Sequence, residues 1–283
     1  MKLLTCIFIL IATQLIAAEP YINGEIRFPA KKLFNQTEGT FEVWFKQELA
    51  LDDKSFKLGQ PSSRSLCCFF KVSKTGLKDA NRKRGAQNFH FIHHGIFTDG
   101  QRFVLGGSFN MENAQVGRAM KLLKLDQDKW HYAAVTWKEL SAGKFRIVSY
   151  VNGASIRKSE ASYRKKDKLG TDSVIYIGDA ATYHEKLDSG SLATLDSFRI
   201  SNKELSAEEI SKSFESGKFT AEKTTLLMDD FNKLKTPRKA KIGVLTEVGK
   251  TAHKQTQRGL IYGSCKIVEG RNGTKAIQLF QKK

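Results

Sequence analysis

The amino-acid sequence predicts an all-β fold, a sandwich or barrel, with one short helix near residues 206–215. Three observations predict it. Residues 41–46 read Phe-Glu-Val-Trp-Phe-Lys, which puts Phe41, Val43 and Phe45 on one face of a strand. Phe145 to Val151 runs into Asn152-Gly153, the pair that supplies both positive-φ positions of a type I′ turn, and Ala154 to Lys158 can return as the partner strand. Further short runs of β-forming residues recur with turn residues between them, which argues against a parallel α/β sheet.

In chain order, the sequence opens on Lys2 and an apolar stretch from Leu3 to Ile16, broken by Thr5, Thr13 and Gln14. It closes on Ala17-Ala18 before Glu19-Pro20. That order predicts an export signal over residues 1–18, cut near Ala18, and hence an extracellular or periplasmic protein. The run is too short and interrupted for a membrane span, which needs ~20 apolar residues. Cys6 lies inside it, so a lipid-modified mature N-terminus is not indicated. No later apolar run is long enough to span a bilayer.

Residues 19–235 are expected to form one sandwich, since such folds run to ~200–250 residues. Leu66 to Val72 is a second apolar strand. Phe89 to Phe97 and Arg102 to Phe109 flank Thr98-Asp99-Gly100, a natural hairpin connection. Strands are also expected at Trp130 to Trp137, Val174 to Gly178, Leu195 to Ile200 and Thr225 to Phe231. Ser206-Ala-Glu-Glu209 is a capping box, Leu205 and Ile210 stand at staple positions, and Gly217 is the stop. Glu208 and Glu209 are therefore helix-start residues rather than a catalytic pair. Residues 236–283 are a basic tail able to add strands. From Lys233 to Arg258 it has eight Lys or Arg against Glu247 alone, and Gly273 to Phe280 faintly echoes Gly24 to Phe28.

The formal charge is +18, which draws anions at a range set by salt. Basic clusters stand at Arg82-Lys83-Arg84 and Arg164-Lys165-Lys166, with Arg238-Lys239 and Lys241 in the tail. Brought together, they would make a groove for a sulfated or carboxylated glycan, which Arg grips through paired hydrogen bonds. Held apart, they are solvated loops. Nucleic acid fits less well, because aromatic residues do not interleave the basic runs. Outside the signal, Cys67, Cys68 and Cys265 allow a disulfide from Cys265 to Cys67 or Cys68 with one thiol left over; the alternative is that the adjacent pair are small strand residues without a bond. Asn35-Gln-Thr37 and Asn272-Gly-Thr274 match glycan acceptor sites.

Three segments in order carry a family resemblance. Gly39-Thr-Phe-Glu-Val-Trp-Phe-Lys46 resembles the opening strand of laminin G-like domains in the concanavalin A-like lectin/glucanase superfamily. Trp130-His-Tyr-Ala-Ala-Val-Thr-Trp137, with Tyr150-Val-Asn-Gly153, is similar to the central strand pair. Leu195-Asp-Ser-Phe-Arg-Ile200 and Leu205-Ser-Ala-Glu-Glu-Ile210 resemble the closing strand and its helix. Ser197 departs from the pattern, which commonly has an acidic residue there. The resemblance implies an antiparallel two-sheet jelly roll. Trp130 and Trp137 are expected as core or sheet-edge residues rather than sugar platforms, because large aromatics dominate core burial.

The same fold hosts polysaccharide hydrolases and lyases, so catalysis is tested on residues. A retaining hydrolase needs two carboxylates ~5 Å apart, supplied in the fold's glucanases by a Glu-x-Asp-x-x-Glu strand. No such run occurs, and the adjacent pairs Asp52-Asp53 and Asp229-Asp230 would point to opposite strand faces. Lyases of this fold are expected to cluster Arg, Gln, His and Tyr on neighbouring strands, where His90 is the one loose candidate. His90 and His94 would share a strand face opposed by His93, without visible further metal ligands. Calcium is the cofactor that the resemblance admits, but Asp179, Asp188 and Asp196 form no dense oxygen-ligand loop. The expectation is a non-catalytic module recognising a glycan, a cell-surface polyanion or a protein partner, with a polysaccharide-cleaving enzyme as the alternative.

Overall fold

The computed structural model describes residues 21–47, 65–73, 88–96, 103–111, 114–123, 125–126, 129–162, 173–178, 193–233, 244–250, 256–263, 266–278 and 280–282. The first strands are β1 (Tyr21–Pro29), β2 (Glu38–Gln47), β3 (Ser65–Ser73), β4 (Asn88–Ile96), β5 (Phe103–Met111) and β6 (Ala114–Leu123). Next come β7 (Trp130–Ser141), β8 (Lys144–Val151), β9 (Ala154–Ser162), β10 (Val174–Ile177) and β11 (Ala193–Ser201). Helix α1 (Ala207–Ser216) follows, then β12 (Thr225–Asp229), β13 (Val244–Lys250), β14 (Thr256–Gly263), β15 (Lys266–Glu269), β16 (Lys275–Gln278) and β17 (Phe280–Lys282).

The strands build two antiparallel layers. Layer I runs β9–β8–β7–β2–β11, and β11 takes β12 and the β16–β15 pair on its far side. Layer II runs β14–β1–β10–β3–β4–β5–β6, with β17 beside the start of β1. Strand β13 pairs with both β12 and β14 and so joins the layers along one side. The strands after residue 235 thus lie against β1 and β11, the chain's early and late sandwich strands.

Alternation fills the space between the layers. Phe41, Val43 and Phe45 of β2 are fully buried, together with Val135, Trp137, Phe145, Ile147 and Phe198 of layer I. Ile26, Phe28, Phe70, Val72, Ile175 and Ile177 face them from layer II. Phe41 stacks on Phe70 at 4.5 Å, and Phe45 meets Phe69 at 4.8 Å, so single ring pairs bridge the layers. Each such side chain contributes about 1.5–3 kcal/mol when it leaves water.

Trp137 is a core residue: its indole N–H donates to the Asn35 carbonyl at 2.9 Å, and its ring stacks on Phe34. Gly39 stands opposite it in register, and a Cβ there would fall inside the indole. The Asn152-Gly153 turn forms with φ of 47° and 81°, and Val151 pairs with Ala154 across it. Helix α1 starts as its sequence dictates. The Ser206 hydroxyl accepts from the Glu209 amide at 3.2 Å, and the Ser206 amide donates back to the Glu209 carboxylate at 2.8 Å. Gly217 ends the helix in the left-handed conformation, φ 65°. No helix among the described residues is long and apolar enough to cross a membrane.

Candidate ligand-binding faces

Each layer has an outer face, and the two differ in chemistry. On layer I, α1 lies over a second apolar cluster of Trp44, Tyr132, Ala134, Tyr150, Leu205 and Ile210, with Phe214 and Phe219 against it. Beneath the helix is a buried polar network. Arg199 donates from Nε to Glu42 Oε2 at 2.6 Å and from Nη2 to Glu42 Oε1 at 2.9 Å. The Tyr132 hydroxyl and the Ser213 hydroxyl also donate to Glu42 Oε1, at 2.8 and 2.7 Å. Burial, then the Glu42 charge, raises the Tyr132 hydroxyl well above its ordinary pKa. Burial alone would lower the Arg199 pKa, but Glu42 outweighs it and the guanidinium is held charged.

A second buried carboxylate, Asp196, sits in a bulge of β11, where the pairing with β2 shifts register between Leu195 and Ser197. It accepts from the Arg271 amide at 2.8 Å and from the Thr274 hydroxyl at 2.6 Å. The acidic group missing at Ser197 is thus present one residue earlier, turned to the tail. Arg271 stacks its guanidinium 3.5 Å from the Trp44 ring centroid and donates to the carbonyl of Gly217. Burial lowers the Arg271 pKa, and Asp196 works against that shift.

Where α1 begins, an open groove of about 630 Å³ lies beside Arg146, Lys203, Glu204, Glu208, Glu209 and Lys212. Its charges are matched. Arg146 grips Glu204 through two bonds of 3.0 and 2.6 Å, Lys203 meets Glu209 at 2.6 Å and Lys212 meets Glu208 at 2.7 Å. Glu208 and Glu209 act at the helix start, as their sequence position indicates.

The outer face of layer II follows from its register. Phe28, Ile175 and Val72 form one inward rung, so the adjacent rung of Arg27, Tyr176 and Lys71 belongs to the outer face. These three are buried, and both cations lie over the Tyr176 ring, at 5.1 and 5.5 Å. The same rung continues in direct pairing from Lys71 to His90, from His90 to Ser108, and from Ser108 to Arg118. A neighbouring rung holds Ser73, Asn88, Asn110 and Gln115. Sequence reasoning singled out His90 but not this company, because its rung-mates come from five other strands.

Arg82, Lys83, Arg84, Arg164, Lys165 and Lys166 lie outside the described residues, as do Arg238, Lys239, Lys241, Cys265, Asp52, Asp53, Asp179 and Asp188. Residues 1–18 lie outside them too. Cys67 and Cys68 are on β3, opposite His94 and His93 respectively. Trp130 is half-buried under Lys46, at 5.5 Å. Asp196, the described member of the three aspartates, is engaged by Arg271 and Thr274 rather than set in an oxygen cage. Among the described residues no three His, Cys, Asp or Glu come together as metal ligands.

A search among functionally curated proteins returned no match. Among solved structures, the chain is similar to a heptameric SAP-like pentraxin from Limulus polyphemus, at 11% identity and TM-score 0.39 over 69% of this chain and 81% of that one. It is similar to the binding domain of botulinum neurotoxin serotype C1, at 14% identity and TM-score 0.39 over 71% of this chain and 44% of that one. A third is the CBM40 of Ruminococcus gnavus IT-sialidase bound to α2,3-sialyllactose, at 13% identity and TM-score 0.36 over 63% and 83%. These likenesses are too distant to bear on function. The family comparison is direct: a laminin G-type model matches residues 21–211, across β1 to α1, and the chain belongs to the concanavalin A-like lectin/glucanases superfamily.

Proposed function

We propose that this chain is an exported, non-catalytic recognition module that binds carbohydrate, with an acidic glycan or polyanionic surface as its ligand. The observation that carries the ligand class is the formal charge of +18 on a lectin-type sandwich. Glu42 supports the non-catalytic half. Both of its oxygens accept from Arg199, Oε1 also accepts from Tyr132 and Ser213, and the side chain has no exposed surface, which keeps this carboxylate out of reach of a substrate. A glycan array read at several salt concentrations tests the proposal. Retention that weakens with salt and leaves the glycan intact is expected. Indifference to every acidic glycan on the array would contradict it.

One observation favours a second reading, a polysaccharide lyase. Tyr176, His90 and Arg118 share a rung of layer II, and the next rung holds Gln115. Release of unsaturated, ultraviolet-absorbing ends from an acidic polysaccharide is the readout that would favour this reading over the first.

A further inference from the structure

We infer that Asn272 is a self-modification site: its carboxamide is lost through attack by the Gly273 amide, and the product loosens the clamp that Arg271 and Thr274 make on Asp196.

The sequence holds three Asn-Gly pairs, Asn23-Gly24, Asn152-Gly153 and Asn272-Gly273. An asparagine before glycine is open to this chemistry, because no Cβ hinders the attacking nitrogen. The fold sets the three apart. Asn23 and Gly24 are held extended in β1, paired with Phe280 and Gly263. Asn152 stands in a turn, but its Oδ1 accepts from the Tyr132 amide at 2.9 Å, and Phe214 lies over Gly153, where a Cβ would come within 3.0 Å of the ring. Turning that carboxamide toward the backbone would leave the Tyr132 amide without its acceptor, which opposes the attack.

Asn272 and Gly273 adopt a turn of the same kind, with φ of 52° and 74° against 47° and 81° at Asn152 and Gly153. Asn272 is exposed, its carboxamide meets no hydrogen-bond partner among the described residues, and a Cβ built on Gly273 would meet nothing within 4 Å. The two turns are matched in backbone and differ in the freedom of the side chain.

The reaction needs water alone. The Gly273 nitrogen bonds to Cγ of Asn272, the Cγ–Nδ2 bond breaks, and ammonia leaves with the proton that the Gly273 nitrogen gives up. Water then opens the cyclic imide. Opening at Cγ restores the main chain and leaves aspartate, whereas opening at the main-chain carbonyl leaves isoaspartate, with the chain running through Cγ.

Position gives the product its effect. Within this turn the Thr274 amide donates to the Arg271 carbonyl at 2.9 Å. At its two ends the Arg271 amide and the Thr274 hydroxyl both donate to Asp196 Oδ1, at 2.8 and 2.6 Å. Isoaspartate lengthens the main chain by a methylene between these donors, so they no longer converge on one oxygen. Either product also sets a carboxylate beside Arg271, in competition with Asp196 for its guanidinium.

The experiment incubates the full chain, made in a host that attaches no N-linked glycans, in heavy-oxygen water at mildly alkaline pH, and reads each Asn-Gly peptide by mass. Asn272 is expected to convert at least about tenfold faster than Asn152 or Asn23, a barrier difference of ~1.4 kcal/mol, with the heavy oxygen in both products. In concentrated urea the three are expected to convert at comparable rates, because their surroundings are gone. Equal rates in the folded protein, or an Asn272 that stays intact while its urea-unfolded counterpart converts, would overturn the site. The isoaspartyl form, separated by ion exchange, is expected to exchange its amide hydrogens over residues 266–278 at least about tenfold faster than the unmodified form. Equal protection would overturn the loosening. Asn272→Gly keeps the turn and removes the carboxamide, so its protection is expected to survive the same incubation; a variant that loosens as the natural sequence does would assign the change to another residue and overturn the inference.

Discussion

Arg199 of β11 and Glu42 of β2 are joined by two parallel hydrogen bonds of 2.6 and 2.9 Å, at a point where Glu42 has no exposed surface. The pair stands directly opposite in register, and it fixes how β2, β11 and α1 come together, since Ser213 of α1 donates into the same carboxylate. Arg199 also reaches the Thr220 carbonyl and Glu222, which ties down the chain beyond the helix.

Breaking one half of this pair leaves a buried charge without its partner, at a cost of about 3–5 kcal/mol. Arg199→Met alone and Glu42→Leu alone are each expected to lose stability on that scale in urea unfolding. The double variant should recover much of the loss, because neither charge is then stranded. Additive single effects would show the pair to be independent of one another.

Gly39→Ala places a methyl group inside the Trp137 indole. Trp137 cannot yield freely, as Phe34 stacks on it and Asn35 accepts its N–H. The expected loss is about 1–3 kcal/mol, read as a lower urea midpoint with an unchanged slope.

The capping box gives a pH-dependent term with a definite sign. Lys203, then the Ser206 amide, lowers the Glu209 pKa below the usual carboxylate range. A depressed folded-state pKa means that the contribution is present above the unfolded value of about 4.3 and is lost as pH falls through the folded value. Glu209→Gln should therefore be less stable than the natural sequence at neutral pH, and the difference should close in acid. Ser206→Ala should cost about 1 kcal/mol at neutral pH.

Arg271→Ala removes the guanidinium from Trp44 and its bond to the Gly217 carbonyl. A desolvated cation–π contact contributes about 2 kcal/mol. Cleavage by a protease after residue 266 should become faster and Trp44 fluorescence should change. Asp196→Asn should do the same, and the two should not add, because Asp196 meets both the backbone and the side chain of Arg271.

Local patterns carried most of the fold into view. Phe41, Val43 and Phe45 declare a buried face by alternation, Asn152-Gly153 declares its hairpin, and Ser206 to Gly217 spells both ends of a helix. Strand β6 escaped because Ala114 to Leu123 has neither a clear alternation nor a run of β-branched residues. Strand β13 was hidden by the cations around Val244, Leu245 and Val248. The tail strands depend on partners far away in sequence: β14 on β1 and β16 on β11.

The site was less legible, for the same reason. His90 is visible as a histidine on a strand, but its neighbours Lys71, Ser108 and Arg118 are set beside it only by pairing register. Asp196 gave no sign of its role, because its partners Arg271 and Thr274 lie in the tail. The loop clusters around Arg84 and Lys165 stood out through charge density alone, which says nothing about convergence.

The central claim is recognition of an acidic glycan without its cleavage. Titration of a defined polygalacturonate oligomer at low and at physiological salt, followed by sizing of the recovered oligomer, tests it most directly. The account predicts binding that weakens as salt rises and an oligomer of unchanged length. A shortened oligomer, or equal preference for an uncharged glucan at both salts, would contradict it.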